Sequence, residues 1–202
     1  MRMRWEKLGR RRSRPVRLQL ATQGAGPLLQ RDYWCVIRNC RYSPRQIVAT
    51  VRRHFPVFAP AELVVFRPPS TEGLSLGDVV DLRIAGAGPA QVRVIHVSEQ
   101  SFTLATMSGH PEAGRITFGA YRNLRGDVVF HIRSRARSNS PFRRAGFVAA
   151  GEVMQTLTWS DFVNRVAVAF GEGVVGFVHA ETSPCDEEPP DLARNAPTYL
   201  AV

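Results

Sequence analysis

Alternation of apolar and polar positions dominates the middle of the chain. Across residues 78–84, Val80, Leu82 and Ile84 share one face of an extended segment, with Asp81 and Arg83 on the other. Residues 128–137 repeat the pattern, Val128, Phe130 and Ile132 standing opposite His131, Arg133, Arg135 and Arg137. Residues 115–121 bring Ile116, Phe118 and Ala120 together. Further runs at 63–67 and 91–97 are bounded by turn residues, so the pattern predicts an antiparallel sheet with one apolar and one charged face. On this reading His131 faces solvent. A strand over 28–39, carrying Tyr33 to Ile37, precedes them.

Two segments change period. Ser43, Pro44 and Gln46 form a capping box with proline in the first turn, and Ile47, Val48, Val51 and Phe55 follow at helical spacing. This predicts a short helix stopped by Pro56. Over 142–170, Met154, Leu157, Phe162, Val166 and Phe170 recur at helical steps, with Ser140 and Pro141 as cap and first turn. Gly171 stands where a helix end favours positive φ, and Gly146 and Gly151 would weaken the first third.

Between two apolar runs, Gly109, His110, Pro111, Glu112, Ala113 and Gly114 make a turn, so 102–118 reads as a hairpin with a loop of about six residues.

Composition bounds the rest. The chain has 202 residues, 44% of them hydrophobic, enough for one substantial core. The division expected is a disordered Arg-rich leader at 1–27, one domain at 28–172 and an acidic, Pro-rich tail at 173–202. The net charge of +10 is concentrated at the front: residues 1–17 hold eight Lys or Arg against Glu6. Such an arm would meet phosphates of nucleic acid or of an anionic membrane, while a solvated tail is the plainer reading. Cys35, Cys40 and Cys185 have no metal-ligand or disulfide spacing, so no metal or cofactor is expected and a cytoplasmic setting is the default. No apolar run is long enough for a membrane span.

The order of strand, short helix, antiparallel strands and long C-terminal helix resembles the helix-grip fold shared by START domains, the birch-pollen allergen group and polyketide cyclases. The implied class is α+β, with a curved antiparallel sheet of about six to seven strands wrapped on one long C-terminal helix. The hairpin is similar to the signature of an uncharacterised family, the domain of unknown function nineteen-ninety, which runs Phe-x-Tyr-Gly-Thr-Leu-x-Gly-His-Pro-Glu-x-Gly-Glu-Glu-x-Phe. Phe102, Thr106, Gly109, His110, Pro111, Glu112, Gly114 and Phe118 match it. Ser134, Arg135 and Gln155 resemble further family positions. Leu104, Arg115 and Ile116 depart from it, the last two standing where the family has paired Glu.

A helix-grip fold implies a cavity between sheet and helix, and the expected ligand is a small hydrophobic or lipid-like molecule. Val94, His96, Phe118, Met154, Leu157 and Phe162 are the candidate lining, His96 being aimed inward because it alternates in step with Val92 and Val94. As core packing alone these residues need no ligand. An enzyme of cyclase, dehydratase or hydrolase type is the alternative, with His96 or the pair His110 and Glu112 as acid and base. The plainer role for His110 and Glu112 is to satisfy amides of their own loop. No Ser-His-Asp order, phosphate loop or metal motif appears, so binding is favoured over catalysis.

Overall fold

The computed structural model describes residues 17–139, 141–173 and 177–186, with 141–150 described as helix backbone. Ser43 caps helix α1 (Pro44–Arg53) through the expected capping box with Gln46. Pro56 does not stop that helix. The chain turns at His54, and Pro56 enters the first turn of a second short helix, α2 (Phe55–Phe58), where its missing N–H has no carbonyl to reach. The long helix α3 runs continuously over Pro141–Phe170. Ser140, its expected cap, lies outside the described residues. At its far end Gly171 keeps an ordinary φ and the positive values fall on Glu172 and Gly173. What Gly171 supplies is close approach, since a Cβ there would sit 2.6 Å from the Ala167 carbonyl and 2.8 Å from that of Arg38.

Eight antiparallel strands form one curved sheet: β1 (Ala25–Val36), β2 (Val64–Arg67), β3 (Val79–Ile84), β4 (Gly88–Val97), β5 (Ser101–Thr106), β6 (Glu112–Arg122), β7 (Val128–Ser138) and β8 (His179–Pro184). Their order is β2-β3-β4-β5-β6-β7-β1-β8, so the first long strand closes against the last hairpin partner. All three helices cover the concave side, giving the α+β helix-grip arrangement with one strand more than expected. That extra strand is β8, drawn from the segment read as tail and paired with β1. Order also begins before residue 28, with Leu18 bridged to Met107 and β1 starting at Ala25. The basic arm up to residue 16 and the acidic stretch beyond 186 fall outside the described residues.

The core fills the end of the concave side where α1, α2 and the C-terminal half of α3 converge. Phe55 is its hub, its ring meeting Phe66, Phe102, Phe118 and Phe162 at centroid distances of 4.9 to 5.7 Å. Each buried Phe contributes roughly 1.5–3 kcal/mol, so this cluster anchors helices to sheet. Val94, Phe118 and Phe162 belong to it and are wholly buried. The thiol of Cys35 lies there too, pushed up to about 12 by burial, which leaves it un-ionised and inert.

The convex face is not simply solvated. The Asp32 carboxylate accepts from His131 Nε2 at 2.6 Å, from Arg133 Nε at 2.5 Å and from Gln30 Nε2 at 2.9 Å. Trp34 stacks on His179 of β8 at 4.8 Å and leans on His131 at 5.7 Å. His131 is therefore 1% exposed, contrary to its expected solvent position. Alternation identifies the face correctly, but Trp34, Tyr121 and the Asp32 pairing cover the ring. Burial alone would raise the Asp32 carboxyl, and the bonds from His131 and Arg133 outweigh it, leaving the group below its usual value.

Candidate cavity and its polar end

A cavity of about 330 Å³ remains between the sheet and the middle of α3, residues 151–159. Its walls are mainly apolar: Leu29 from β1, Leu104 from β5, Ile116 from β6, Ala136 from β7 and Met154 and Trp159 from α3. That volume falls at the lower end of small-ligand sites.

One end of the cavity is polar. Leu29, Arg31, Tyr33 and Cys35 share the concave face of β1 by alternation, so the strand carries a guanidinium into an apolar surface. Arg31 is almost fully buried; an unpaired charge there would cost several kcal/mol. Two carboxylates answer it: Glu112 Oε1 at 3.5 Å from Nη1, and the half-exposed Glu152 Oε1 at 3.9 Å from Nη2. Gln155 Nε2 donates to the other oxygen of Glu112. Burial pushes the Glu112 carboxyl up and Glu152 adds to this; Arg31 and Gln155 pull it down without cancelling the rise.

The Gly-His-Pro-Glu turn delivers Glu112 to this place, and its own backbone is tied down from outside the hairpin. Gln19 donates through Nε2 to the carbonyls of His110 and Glu112, and its Oε1 accepts from the Gly109 amide. Asn139 Nδ2 donates to the His110 carbonyl at 2.7 Å. The ring of His110 turns back on the loop, its Nδ1 accepting from the Glu112 amide at 3.1 Å. His110 thus orders the turn that carries Glu112. Gly114 follows at φ +154°, where a Cβ would lie 2.2 Å from the Arg135 carbonyl; only glycine lets β6 meet β7 this closely.

The expected lining is largely displaced. Met154 borders the cavity, whereas Val94, Phe118 and Phe162 sit in the aromatic core and Leu157 points outward, 53% exposed. His96 lies on the convex side. Val94 pairs with Leu104 but His96 pairs with Thr103, so Ile95 is an extra residue that reverses the alternation. Burial lowers the pKa of His96, away from the cavity. Of the acid–base candidates, Glu112 and His110 reach the cavity wall and His96 does not.

Arg31, Glu152 and the hydroxyl of Ser134 were not among the expected site residues. Arg31 carried a legible signal, a charge in step with Leu29, Tyr33 and Cys35. Glu152 and Gln155 needed knowledge of which face of α3 meets the opening. Among the described residues, no group of three or more His, Cys, Asp or Glu is arranged to hold a metal ion, and no helix is long and apolar enough to cross a membrane.

A truncated norcoclaurine synthase from Thalictrum flavum is similar at a TM-score of 0.49 and 10% identity, covering 72% of this chain and 96% of that one. Protein CV1439 from Chromobacterium violaceum is similar at 0.46 and 12%, covering 72% and 99%. Major latex-like protein 151 from Panax ginseng is similar at 0.43 and 11%, covering 72% and 99%. No curated protein matches the sequence. A family model described as Domain of unknown function (DUF1990) matches residues 46–165, more than half of the chain and including the whole signature turn, and the chain belongs to that family.

Proposed function

We propose that this protein binds a small, mainly apolar molecule in the cavity between the sheet and α3. The observation that carries the reading is the cavity itself, about 330 Å³ with apolar walls and a buried polar end, lying beside a core that is already closed without it. A core merely short of side chains would have no reason to hold Arg31 and Glu112 at the edge of the gap, where their desolvation is unfavourable. Titration with the neutral fluorophore N-phenyl-1-naphthylamine tests it. Binding by the wild type, weakened about tenfold or more by Ile116→Trp in a variant that keeps its melting temperature, is the expected result. Unchanged binding in that variant, or none in the wild type, overturns it.

A second reading draws on Glu112. A carboxyl held above its usual value in a cavity wall is suited to proton transfer, as an enzyme of hydrolase or dehydratase type requires. His96 has no part in it, and the His110 ring is engaged with the backbone of its own turn. Turnover of p-nitrophenyl hexanoate that is lost in Glu112→Gln would favour this reading; turnover that survives the substitution removes it.

A further inference from the structure

Three side-chain atoms at the polar end of the cavity are buried without a hydrogen-bond partner among the described residues: Arg31 Nη1, Ser134 Oγ and Gln155 Oε1. All three residues border the cavity, and Arg31 stands directly opposite Ser134 across β1 and β7. Arg31 and Ser134 are each more than nine-tenths buried, so water has little access to them. Arg31 Nη1 has the Glu112 carboxylate 3.5 Å away as an ion-pair partner but makes no hydrogen bond, and Ser134 Oγ and Gln155 Oε1 likewise make none. Leaving buried polar atoms without hydrogen bonds is costly, and a molecule in the cavity is placed to supply them.

Their chemistry describes the missing partner. Nη1 can only donate, Oε1 can only accept, and a serine hydroxyl does either. The matching tip therefore carries both an acceptor and a donor. Its charge follows from the neighbours. Arg31 from β1 already faces Glu112 from β6 and Glu152 from α3. Arg115 and Arg137 also border the cavity, but they alternate with Ile116 and Ala136, which puts their side chains on the opposite face. A ligand carboxylate would be a third acid around one guanidinium and would bring no donor for Gln155 Oε1. An ammonium would be a second cation beside Arg31 and would offer no acceptor to its Nη1.

We propose that the cavity selects an apolar molecule ending in an uncharged group that both donates and accepts hydrogen bonds, an amide or alcohol, and discriminates against the corresponding carboxylate. This rests on the reading of the cavity as a ligand site and names the ligand class.

The test is displacement of N-phenyl-1-naphthylamine at pH 8 by two probes of equal chain length, octanamide and octanoate. Octanamide is expected to displace the fluorophore at a concentration at least about tenfold below that of octanoate. Glu112→Gln removes one acid and is expected to narrow that gap by strengthening octanoate, while Ser134→Ala weakens octanamide more than octanoate. Octanoate binding as well as octanamide, or a gap unmoved by Glu112→Gln, overturns the proposal. So does a fluorophore that binds but yields to neither probe, an outcome that leaves the cavity reading standing. A fluorophore that does not bind at all removes the cavity reading first and this inference with it.

Discussion

Asp32 holds three neighbours with one carboxylate, so replacing it with Asn leaves His131 and Arg133 in a covered site without their common acceptor. The expected loss is about 3 kcal/mol, measured by urea unfolding at pH 7. Because the folded carboxyl lies below the ordinary value of 3.8, its contribution is complete above that pH and disappears as pH falls through the folded value; the gap between wild type and Asp32→Asn should close in acid. Glu112 has the opposite sign. Its folded pKa is raised, so the wild type should lose stability as pH rises from the ordinary value of 4.5 through the folded value, and Glu112→Gln should lack that slope. Gly114→Ala tests sterics alone. A Cβ 2.2 Å from the Arg135 carbonyl must push β6 from β7, and the melting temperature should fall by the equivalent of about 2 kcal/mol or more.

Elements differ in how much of them the sequence discloses. The capping box of α1 and the alternation of β3, β6 and β7 are local, so residue spacing reveals them. The bulge at Ile95 is not local: Val92, Val94 and His96 alternate perfectly in sequence, and only pairing with β5 shows that the strand has gained a residue. The same gap hides the site. Glu112 stands out in a distinctive turn, but its partners Arg31 and Gln155 come from elements far away in the chain, brought together by the sheet order and the pitch of α3. Strand β8 was hidden by composition, since it is exposed throughout and carries no large apolar residue, and its visible anchors are the ladder to β1 and the Trp34–His179 stack. Such a strand should open more easily than its neighbours. In native-state hydrogen exchange its amides are expected to exchange at least about a hundredfold faster than those of β6 and β7; equal protection would show a stronger hold than these contacts supply.

For the whole molecule, closed core and open cavity are divided along the length of one helix. Phe162, Val163, Val166 and Phe170 seal the C-terminal half of α3 against the sheet, while Met154, Gln155 and Trp159 face the space. Stability should then respond chiefly to Phe55 and its ring partners, and the ligand binding proposed above chiefly to Ile116 and the polar end. The tie between Gln19 and the Gly-His-Pro-Glu turn adds an order in time. The hairpin of β5 and β6 closes a short loop and can form early, whereas Gln19 reaches it across 90 or so residues and Asn139 across 29. The turn that carries Glu112 is thus fixed only after the segment before β1 and the residue following β7 have both reached it, and a chain emerging during synthesis would possess its hairpin well before it possessed a finished cavity.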